Sequence, residues 1–239
     1  MVTPQEIIAK MENKKSQLCI GLDLRIPHIE RLEKAIEIIE ATGDLAIAYK
    51  PNRQFWLGFS LDEMKTLTTA IKKQNCYAII DHKLSDIGST NDAALEWASL
   101  EGFDLMTISP YPGNISASGE SAKKFGLGLI YLLLMSNPEA EWMINSPIES
   151  WAREMETYSS GIVLGLSNFS EKKLLLRIKE LLPTPFILAP GLGAQGGDHK
   201  LLEDIFGKRV MYTVSRGISQ ADNIREAAER YYNITSHYE

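Results

Sequence analysis

Cysteine is scarce in this chain of 239 residues, which contains only Cys19 and Cys76. The two residues form no C-x-x-C motif, and each lies in an apolar run that has the character of a strand. Small extracellular domains that depend on disulfide bonds use far more cysteine, so a disulfide framework is not indicated. We expect two reduced, buried thiols and a cytoplasmic protein.

Long hydrophobic runs and an excess of basic residues are also missing. The longest apolar run, LGLIYLLLM at 127–135, is too short to cross a bilayer. The N-terminal MVTPQEIIAKMENKK lacks the apolar centre of a signal peptide and predicts a short amphipathic helix before the first strand. The net charge is −6, which argues against a dedicated nucleic-acid-binding protein. We therefore expect neither a membrane nor a nucleic-acid partner.

The motifs of cofactor and metal chemistry are missing as well. The histidines show no metal-ligand spacing; they are His28, His82, His199 and His237. Ser136 has no G-x-S-x-G context, so a nucleophile elbow is not indicated. We expect no cofactor and no metal.

Apolar runs and helical patterns instead alternate along the whole chain. The predicted strands cover 17–23, 45–50, 76–81, 103–109, 126–136, 161–166, 186–191 and 209–215. The predicted helices cover 28–43, 60–74, 86–100, 148–157, 170–183 and 219–232. Gly43 is expected to stop the first of them and Ser219 to cap the last, while a Gly- and Ser-rich loop precedes the fifth strand.

Eight strands, each followed by a helix or a gap of helical length, predict one α/β domain over 1–239 with the architecture of a single (β/α)8 TIM barrel. The strand runs are continuously apolar, as expected when helices cover one face and the barrel interior the other. The alternative is an open, doubly wound sheet.

Polar and conformationally special residues collect at one end of the predicted strands. In such barrels the active site lies at the C-terminal ends of the strands, whereas a chain of solvated loops would distribute its charges over both ends. The pattern therefore indicates a functional site at that end. The residues that terminate the strands are Asp23, Lys50, Asp81, Lys83, Ser136, Pro190, Gly191, Ser215 and Arg216.

The segment DHKLSDIGST places three charges directly behind the third strand. Alternate residues of a strand share a face, so Asp81 and Lys83 are expected to point the same way. Asp86 and Thr90 are four residues apart and are expected to share a face of the next helix. The alternative is a solvated loop in which Ser85 or Asp86 caps that helix. Charged residues at the neighbouring strand ends favour a reaction site.

The segment GLGAQGGD follows the seventh strand. It contains the pattern G-x-G-x-x-G at Gly191, Gly193 and Gly196. A dinucleotide site is not favoured, because the pattern does not follow the first strand and the next strand ends on VSRG rather than on an acidic residue. Loops after strands seven and eight of such barrels often hold phosphate, which glycine N–H groups and the Arg216 guanidinium can bind. We predict a phosphate site over which this loop carries Gln195, with a flexible connector as the alternative.

DHKLSDIGST matches D-x-K-x-x-D-I-x-x-T, a signature of the orotidine 5′-phosphate decarboxylase family. IGLD, AYKPN, APGLGAQGGD and VSRGIS are similar to other blocks of that family, in the same order, so the resemblance spans about 17–220. It implies a homodimer that converts orotidine 5′-monophosphate to uridine 5′-monophosphate and CO2, the last step of de novo pyrimidine nucleotide synthesis, without cofactor or metal.

The resemblance also implies roles for individual residues. Lys50, Asp81, Lys83 and Asp86 would form an alternating charged network, in which Lys83 donates a proton to C6. Asp86, with Ile87 and Thr90, would be supplied to the site of the neighbouring subunit. The remaining substrate contacts would come from Asp23 on the ribose, Ser136 and Pro190 on the pyrimidine, Gln195 and Arg216 on the phosphate, and Ser215.

Two other functions remain as alternatives. Mg2+-dependent sugar-phosphate decarboxylases and aldolases of the same superfamily share D-x-K-x-x-D, but they carry a carboxylate near the second-strand position, where this chain has Lys50. A non-catalytic phosphate-binding or scaffold protein would keep the charged network for stability or dimerisation alone. Buried ion pairs contribute little to stability, which makes that alternative the less favoured one.

Overall fold

The computed structural model describes residues 2–137, 139–140, 147–165, 172–192, 199–236 and 238. The strands are β1 Leu18–Gly21, β2 Ala48–Lys50, β3 Tyr77–Leu84, β4 Leu105–Ile108, β5 Gly128–Leu134, β6 Gly161–Leu164, β7 Phe186–Pro190 and β8 Val210–Val214. All pairings are parallel and follow chain order, and β1 also pairs with β8, which closes the barrel. The predicted (β/α)8 TIM barrel is confirmed, and the open-sheet alternative is wrong.

Helices surround this barrel. They are α1 Pro4–Lys14, α2 Arg31–Thr42, α3 Leu61–Lys73, α4 Gly88–Leu100, α5 Ile115–Phe125, α6 Ile148–Tyr158, α7 Lys172–Leu181, α8 His199–Phe206, α9 Arg216–Ser219 and α10 Ile224–Thr235. The amphipathic α1 buries Ile7 and Met11 in the same apolar cluster as barrel side chains such as Cys19 and Met211. Within the described ranges, no helix is both long enough and apolar enough to span a bilayer.

The strands are buried on both faces, which explains their continuously apolar sequences. Every residue of β1, β4, β6 and β8 is buried. Alternate side chains of each strand point either into the barrel or outward against the helices, so both sets lose contact with water. Because the middle of each strand is packed in the apolar core, polar side chains from different strands can meet only at the strand ends.

The Gly- and Ser-rich segment before β5 is a helix, so the predicted loop is wrong over Ile115–Phe125. Its small residues serve close packing. Ser118, Gly119 and Ser121 are buried, and a Cβ on Gly119 would lie 2.6 Å from the Cβ atom of Tyr158. Gly119 thus permits a tight contact with α6, while Ser118 and Ser121 hydrogen-bond to α4, so the composition reflects packing rather than a flexible connection.

The ends of several predicted helices also differ from the structure. Ser219 does not cap the last helix: it ends α9, whereas Asn223 caps α10 by accepting a hydrogen bond from the Glu226 amide at 3.1 Å. Neither Ser85 nor Asp86 caps α4, since Ile87 occupies the N-cap position without a side-chain hydrogen bond.

Two further details concern α2 and α4. Gly43 directly follows the last residue of α2, so the helix stops there as predicted, with an ordinary right-handed φ of −61°. Asp86 precedes α4, so it does not share a helix face with Thr90 as predicted.

The two cysteines agree with the prediction, because Cys19 and Cys76 are both buried and unpaired. Burial raises the pKa of Cys19 to about 12, which keeps this thiol protonated near neutral pH. Cys19 is therefore a packing residue of the barrel interior.

Candidate active site

A cavity of about 450 Å3 lies at the C-terminal end of the barrel. This volume falls within the usual range for small-molecule sites. Each strand, or the loop directly after it, contributes at least one lining residue, among them Asp23, Lys50, Asp81, Thr107, Ser136, Val163, Pro190 and Arg216. The predicted position of the site at this end of the barrel agrees with the cavity.

A cluster of three charged side chains occupies one wall of the cavity. Lys50 Nζ donates to Asp81 Oδ2 at 2.7 Å, and Lys83 Nζ donates to Asp81 Oδ1 at 2.7 Å. The hydroxyl of Thr107 donates to the same Oδ1 at 2.9 Å. Asp81 thus joins two ammonium groups, and the prediction that Asp81 and Lys83 point the same way is confirmed.

The two lysines of this cluster differ in their exposure to solvent. The Lys50 and Asp81 side chains are both 8 % exposed, whereas the Lys83 side chain is 40 % exposed. Burial by itself raises the pKa of Asp81, but the ammonium groups of Lys50 and Lys83 outweigh it and hold that pKa well below its ordinary value. Burial likewise tends to lower the pKa of Lys50, and the carboxylates of Asp81 and Asp23 reverse this and raise it. The Lys50–Asp81 pair is therefore ionised at neutral pH.

The backbone of β3 bulges at Lys83. From Ile80 to Leu84 this strand advances four residues, while β4 advances two, from Met106 to Ile108. Lys83 adopts a left-handed conformation with φ of 52°, which is uncommon for a residue other than glycine and costs about 1–3 kcal/mol. Bulges next to active sites redirect a side chain, and here the bulge accompanies the turn of Lys83 toward Asp81.

Asp23, Ser136 and Pro190 line the same cavity. Asp23 Oδ1 is buried and has no hydrogen-bond partner among the described residues, so this acceptor is available to a ligand with hydroxyl groups. A Cβ on Gly165 would lie 2.5 Å from the backbone N of Ser136, so only glycine lets β6 approach Ser136 this closely. The close approach of Gly165 therefore fixes the position of Ser136 at the cavity.

Arg216 and Ser215 follow β8 and also line the cavity. The Ser215 hydroxyl donates to the Gly21 carbonyl at 3.3 Å, which ties the ends of β8 and β1 together. Gly191, directly after β7, has φ of 107°, a value that suits only glycine. Gln195, Gly193 and Gly196 lie outside the described residues.

Asp86, Ile87 and Thr90 are exposed and are not part of the cavity of their own chain. The Asp86 carbonyl accepts a hydrogen bond from Asn114 Nδ2 at 3.0 Å, and its carboxylate accepts one from the Ile87 amide at 2.8 Å. The end of the β3–α4 loop and the first turn of α4 therefore present these three side chains to solvent.

Several cavity residues were not predicted from the sequence. Thr107 was overlooked because it lies within an apolar run, although a hydroxyl near the end of a buried strand is a usable signal. Arg25 also lines the cavity. It lies two residues after Asp23, and this spacing is a weaker signal that the two side chains share a face. Asn52, Thr213 and Tyr231 also line the cavity. Tyr231 reaches it from α10, and no local pattern in the sequence indicates this.

Within the part of the chain that the structure describes, no group of three or more His, Cys, Asp or Glu side chains is arranged to hold a metal ion. The arrangement can do two things chemically. A partly exposed ammonium on a fixed carboxylate can stabilise a developing negative charge and donate a proton, and the guanidinium groups of Arg25 and Arg216 can bind an anion. Fold and site together define a (β/α)8-barrel protein with a Lys–Asp–Lys cluster in the cavity at the C-terminal end of its barrel.

Comparison with known proteins identifies the family. Residues 16–231 match the model of the orotidine 5′-phosphate decarboxylase / HUMPS family. The chain is 33% identical to an orotidine 5′-phosphate decarboxylase of Thermomicrobium roseum over 90% of this chain and 85% of that protein. It is 29% identical to one of Porphyromonas gingivalis over 93% of this chain and 90% of that protein.

Solved structures agree with this assignment. UMP synthase of Leishmania donovani superimposes with a TM-score of 0.82 at 26% identity, over 98% of this chain and 56% of that one. Orotidine 5′-phosphate decarboxylase of Pyrococcus horikoshii superimposes with a TM-score of 0.70 at 27% identity, over 90% of this chain and 97% of that one. The chain belongs to the orotidine 5′-phosphate decarboxylase / HUMPS family, and the resemblance seen in its sequence is confirmed.

Proposed function

We propose that this chain decarboxylates orotidine 5′-monophosphate to uridine 5′-monophosphate and CO2, the last step of de novo pyrimidine nucleotide synthesis. The observation that carries the proposal is the contact of Lys83 Nζ with Asp81 Oδ1 at 2.7 Å on the wall of a nucleotide-sized cavity. The named relatives support the same reaction, since the two bacterial proteins compared above carry this name.

The proposed reaction forms a carbanion that resonance stabilises little, so a nearby positive charge has to stabilise it. When the bond between C6 and the carboxylate breaks, the electron pair stays on C6 and CO2 leaves. An ammonium next to C6 stabilises that pair far better in a cavity from which water is excluded than in bulk water. Lys83 is the proposed group, because it is the more exposed of the two lysines and faces the cavity. It then transfers a proton to C6 and recovers one from solvent.

Asp81 and Lys50 prepare Lys83 for this step. The Asp81 carboxylate holds the Lys83 ammonium by a hydrogen bond, and Lys50 compensates the buried negative charge from the other oxygen. Because the pKa of Asp81 is held low by both lysines, its carboxylate stays ionised beside the substrate carboxylate. Lys83 is thereby held in one orientation until it gives up its proton.

Binding of the remote phosphate contributes the rest. Enzymes lower activation barriers by about 8–23 kcal/mol, and one ammonium cannot supply the upper part of that range. Binding energy from groups that do not react can order the site around the reacting carbon. In the proposed complex Arg216 and Gln195 hold the phosphate with Ser215 beside them, Asp23 accepts from the ribose hydroxyls, and Ser136 and Pro190 contact the pyrimidine.

The Mg2+-dependent alternative is less well supported. This chain has Lys50 at the position where such enzymes carry a carboxylate. The carboxylates of Asp81 and Asp23 outweigh the effect of burial and raise the pKa of Lys50, so its ammonium stays positive. A cation next to it would be repelled. Activity that survives EDTA would support the nucleotide decarboxylase, and activity that requires added Mg2+ would support the alternative.

We also propose a homodimer in which Asp86, Ile87 and Thr90 complete the neighbouring site. These residues are exposed and lie outside the cavity of their own chain. Four of the eight exposed large apolar side chains in the described residues belong to α4, its N-cap or the segment after β4: Ile87, Trp97, Leu100 and Tyr111. Exposed apolar side chains concentrated on a few elements are typical of an interface, so Trp97 fits a contact with a second copy.

Decarboxylation of orotidine 5′-monophosphate, followed by the loss of pyrimidine absorbance, tests the reaction. The wild type should be active, and Lys83→Ala should nearly abolish turnover while its circular dichroism remains that of a folded barrel. Lys34→Ala, which removes a lysine from an exposed ion pair with Glu37 on α2, is the control. Activity of Lys83→Ala within tenfold of the wild type would remove Lys83 from the proposed step.

Subunit mixing tests the shared site. Lys83→Ala and Asp86→Ala chains are each expected to be inactive as homodimers, yet a heterodimer of the two has one site with both residues intact. Random mixing should therefore recover about a quarter of the wild-type activity. A mixture of Lys83→Ala with Asp81→Asn is the control, because both residues belong to the same site and no site is restored. Equal results from both mixtures would contradict the shared site.

A further inference from the structure

The bulge in β3 leaves a backbone group that the strand ladder cannot satisfy. Where β3 runs four residues against two of β4, the amide of Lys83 has no backbone carbonyl of β4 opposite it. The amide donates instead to the side-chain hydroxyl of Thr107 at 2.9 Å. A partly buried N–H that leaves the strand ladder is unfavourable without another acceptor, so this hydroxyl stabilises the bulge at this position.

The same hydroxyl also contacts the charged cluster. Thr107 Oγ1 donates to Asp81 Oδ1 at 2.9 Å, and that oxygen also accepts from Lys83 Nζ at 2.7 Å. Thr107 is 1% exposed, so water does not replace it. One side chain therefore contacts both the backbone that carries Lys83 and the carboxylate that orients its ammonium.

We propose that Thr107 is a positioning residue: its hydroxyl holds Lys83 in the left-handed backbone conformation and fixes Asp81 between the two lysines. A serine in this place would keep both hydrogen bonds, whereas valine has the same shape and would keep neither. The inference rests on the proposed function, because the reaction is what the orientation of Lys83 serves. It predicts that the loss of Thr107 affects the chemical step rather than substrate affinity.

Three variants test the inference with orotidine 5′-monophosphate as substrate. Thr107→Val should lower kcat by about 100-fold, since small displacements of a reacting group have effects of this size, and should leave KM within about threefold. Thr107→Ser should restore kcat to within about threefold of the wild type, because serine supplies the same donor and acceptor. Thr68→Val is the control. Thr68 lies on α3, is 2% exposed, does not line the cavity and donates a hydrogen bond to the Glu101 carbonyl at 2.7 Å. Loss of its hydroxyl should leave kcat unchanged.

Hydrogen exchange of the Lys83 amide gives a second readout that does not depend on turnover. In Thr107→Val this amide loses its acceptor and should exchange faster, whereas Thr68→Val should leave its rate unchanged. If Thr107→Val does not fold, Thr107→Ala removes the hydroxyl without adding bulk and takes its place in both measurements.

The outcomes separate this inference from the proposed function. An active wild type together with a Thr107→Val variant that keeps its kcat, or a serine variant that fails to recover it, overturns the role of Thr107 alone. Unchanged exchange at Lys83 in the valine variant overturns it as well. A wild type without decarboxylase activity overturns the proposed function and this inference with it.

Discussion

Lys50 and Lys83 make equally short contacts with Asp81, yet they should contribute very differently to stability. Both ammonium groups lie 2.7 Å from a carboxylate oxygen, but the Lys50 side chain is 8 % exposed and the Lys83 side chain 40 %. Removal of one partner from a buried ion pair costs about 3–5 kcal/mol, because the other charge is left without compensation. A pair that is open to solvent is screened and contributes about 0.2–1 kcal/mol.

Methionine substitutions isolate this difference, because methionine keeps most of the lysine stem and removes only the charge. Lys50→Met should cost about 3 kcal/mol, the lower end of the range, since Asp81 retains Lys83 and Thr107 as partners. Lys83→Met should cost no more than about 1 kcal/mol. For a chain of this size these values correspond to decreases in Tm of about 6–12 °C and at most about 4 °C.

Urea denaturation followed by circular dichroism, together with calorimetry for Tm, measures both variants. Lys34→Met, which breaks the exposed pair with Glu37, is the control and should leave Tm unchanged within error. Equal decreases for Lys50→Met and Lys83→Met would refute the argument from exposure. It would also fail if Lys50→Met were as stable as the wild type.

Two further predictions concern the anion site and the effect of acid. Arg216→Ala should reduce kcat/KM for the phosphorylated substrate far more than for orotidine without its phosphate; equal losses would remove Arg216 from the proposed phosphate site. The pKa of Asp81 in the folded protein lies below its ordinary value of 3.8, so its stabilising effect is present above that pH and is lost as the pH falls further. The free energy of unfolding of the wild type relative to Asp81→Asn should therefore decrease by about 1 kcal/mol between pH 5 and pH 3, and a difference that stays constant would contradict it.

The barrel could be predicted from the sequence because its strands are buried on both faces. Burial on two faces requires a continuous apolar run, and each of the eight runs became a strand. The helix α5 could not be predicted in the same way. Its glycine lies against Tyr158 of the next helix and its buried serines hydrogen-bond to α4, and contacts between elements leave no periodic pattern within one of them.

The site could be predicted only in part, for a related reason. Asp81 and Lys83 were found because alternate residues of a strand share a face, although the real backbone reaches the same result by a bulge with φ of 52° at Lys83. The bulge depends on how β3 pairs with β4, and no local sequence pattern gives that register. Thr107 lies on β4 and hydrogen-bonds to Lys83 and Asp81 of β3, so its role also depends on how the two strands pair and could not be predicted from the sequence.

The cavity is positively charged, although the protein as a whole is negative. Its lining holds four cationic side chains and two carboxylates, a net positive charge of two, on a chain whose net charge is −6. A positive cleft in a negative protein concentrates the electric field and favours the entry of small anions over that of nucleic acids or acidic proteins that are too large to enter. The proposed substrate carries a phosphate at one end and a carboxylate at the other, and the cavity has Arg216 at the start of α9 and Lys83 on β3 to receive them. Because Asp81 neutralises only one of its two neighbouring lysines, the excess charge that attracts the substrate is the same charge that the proposed reaction uses at C6.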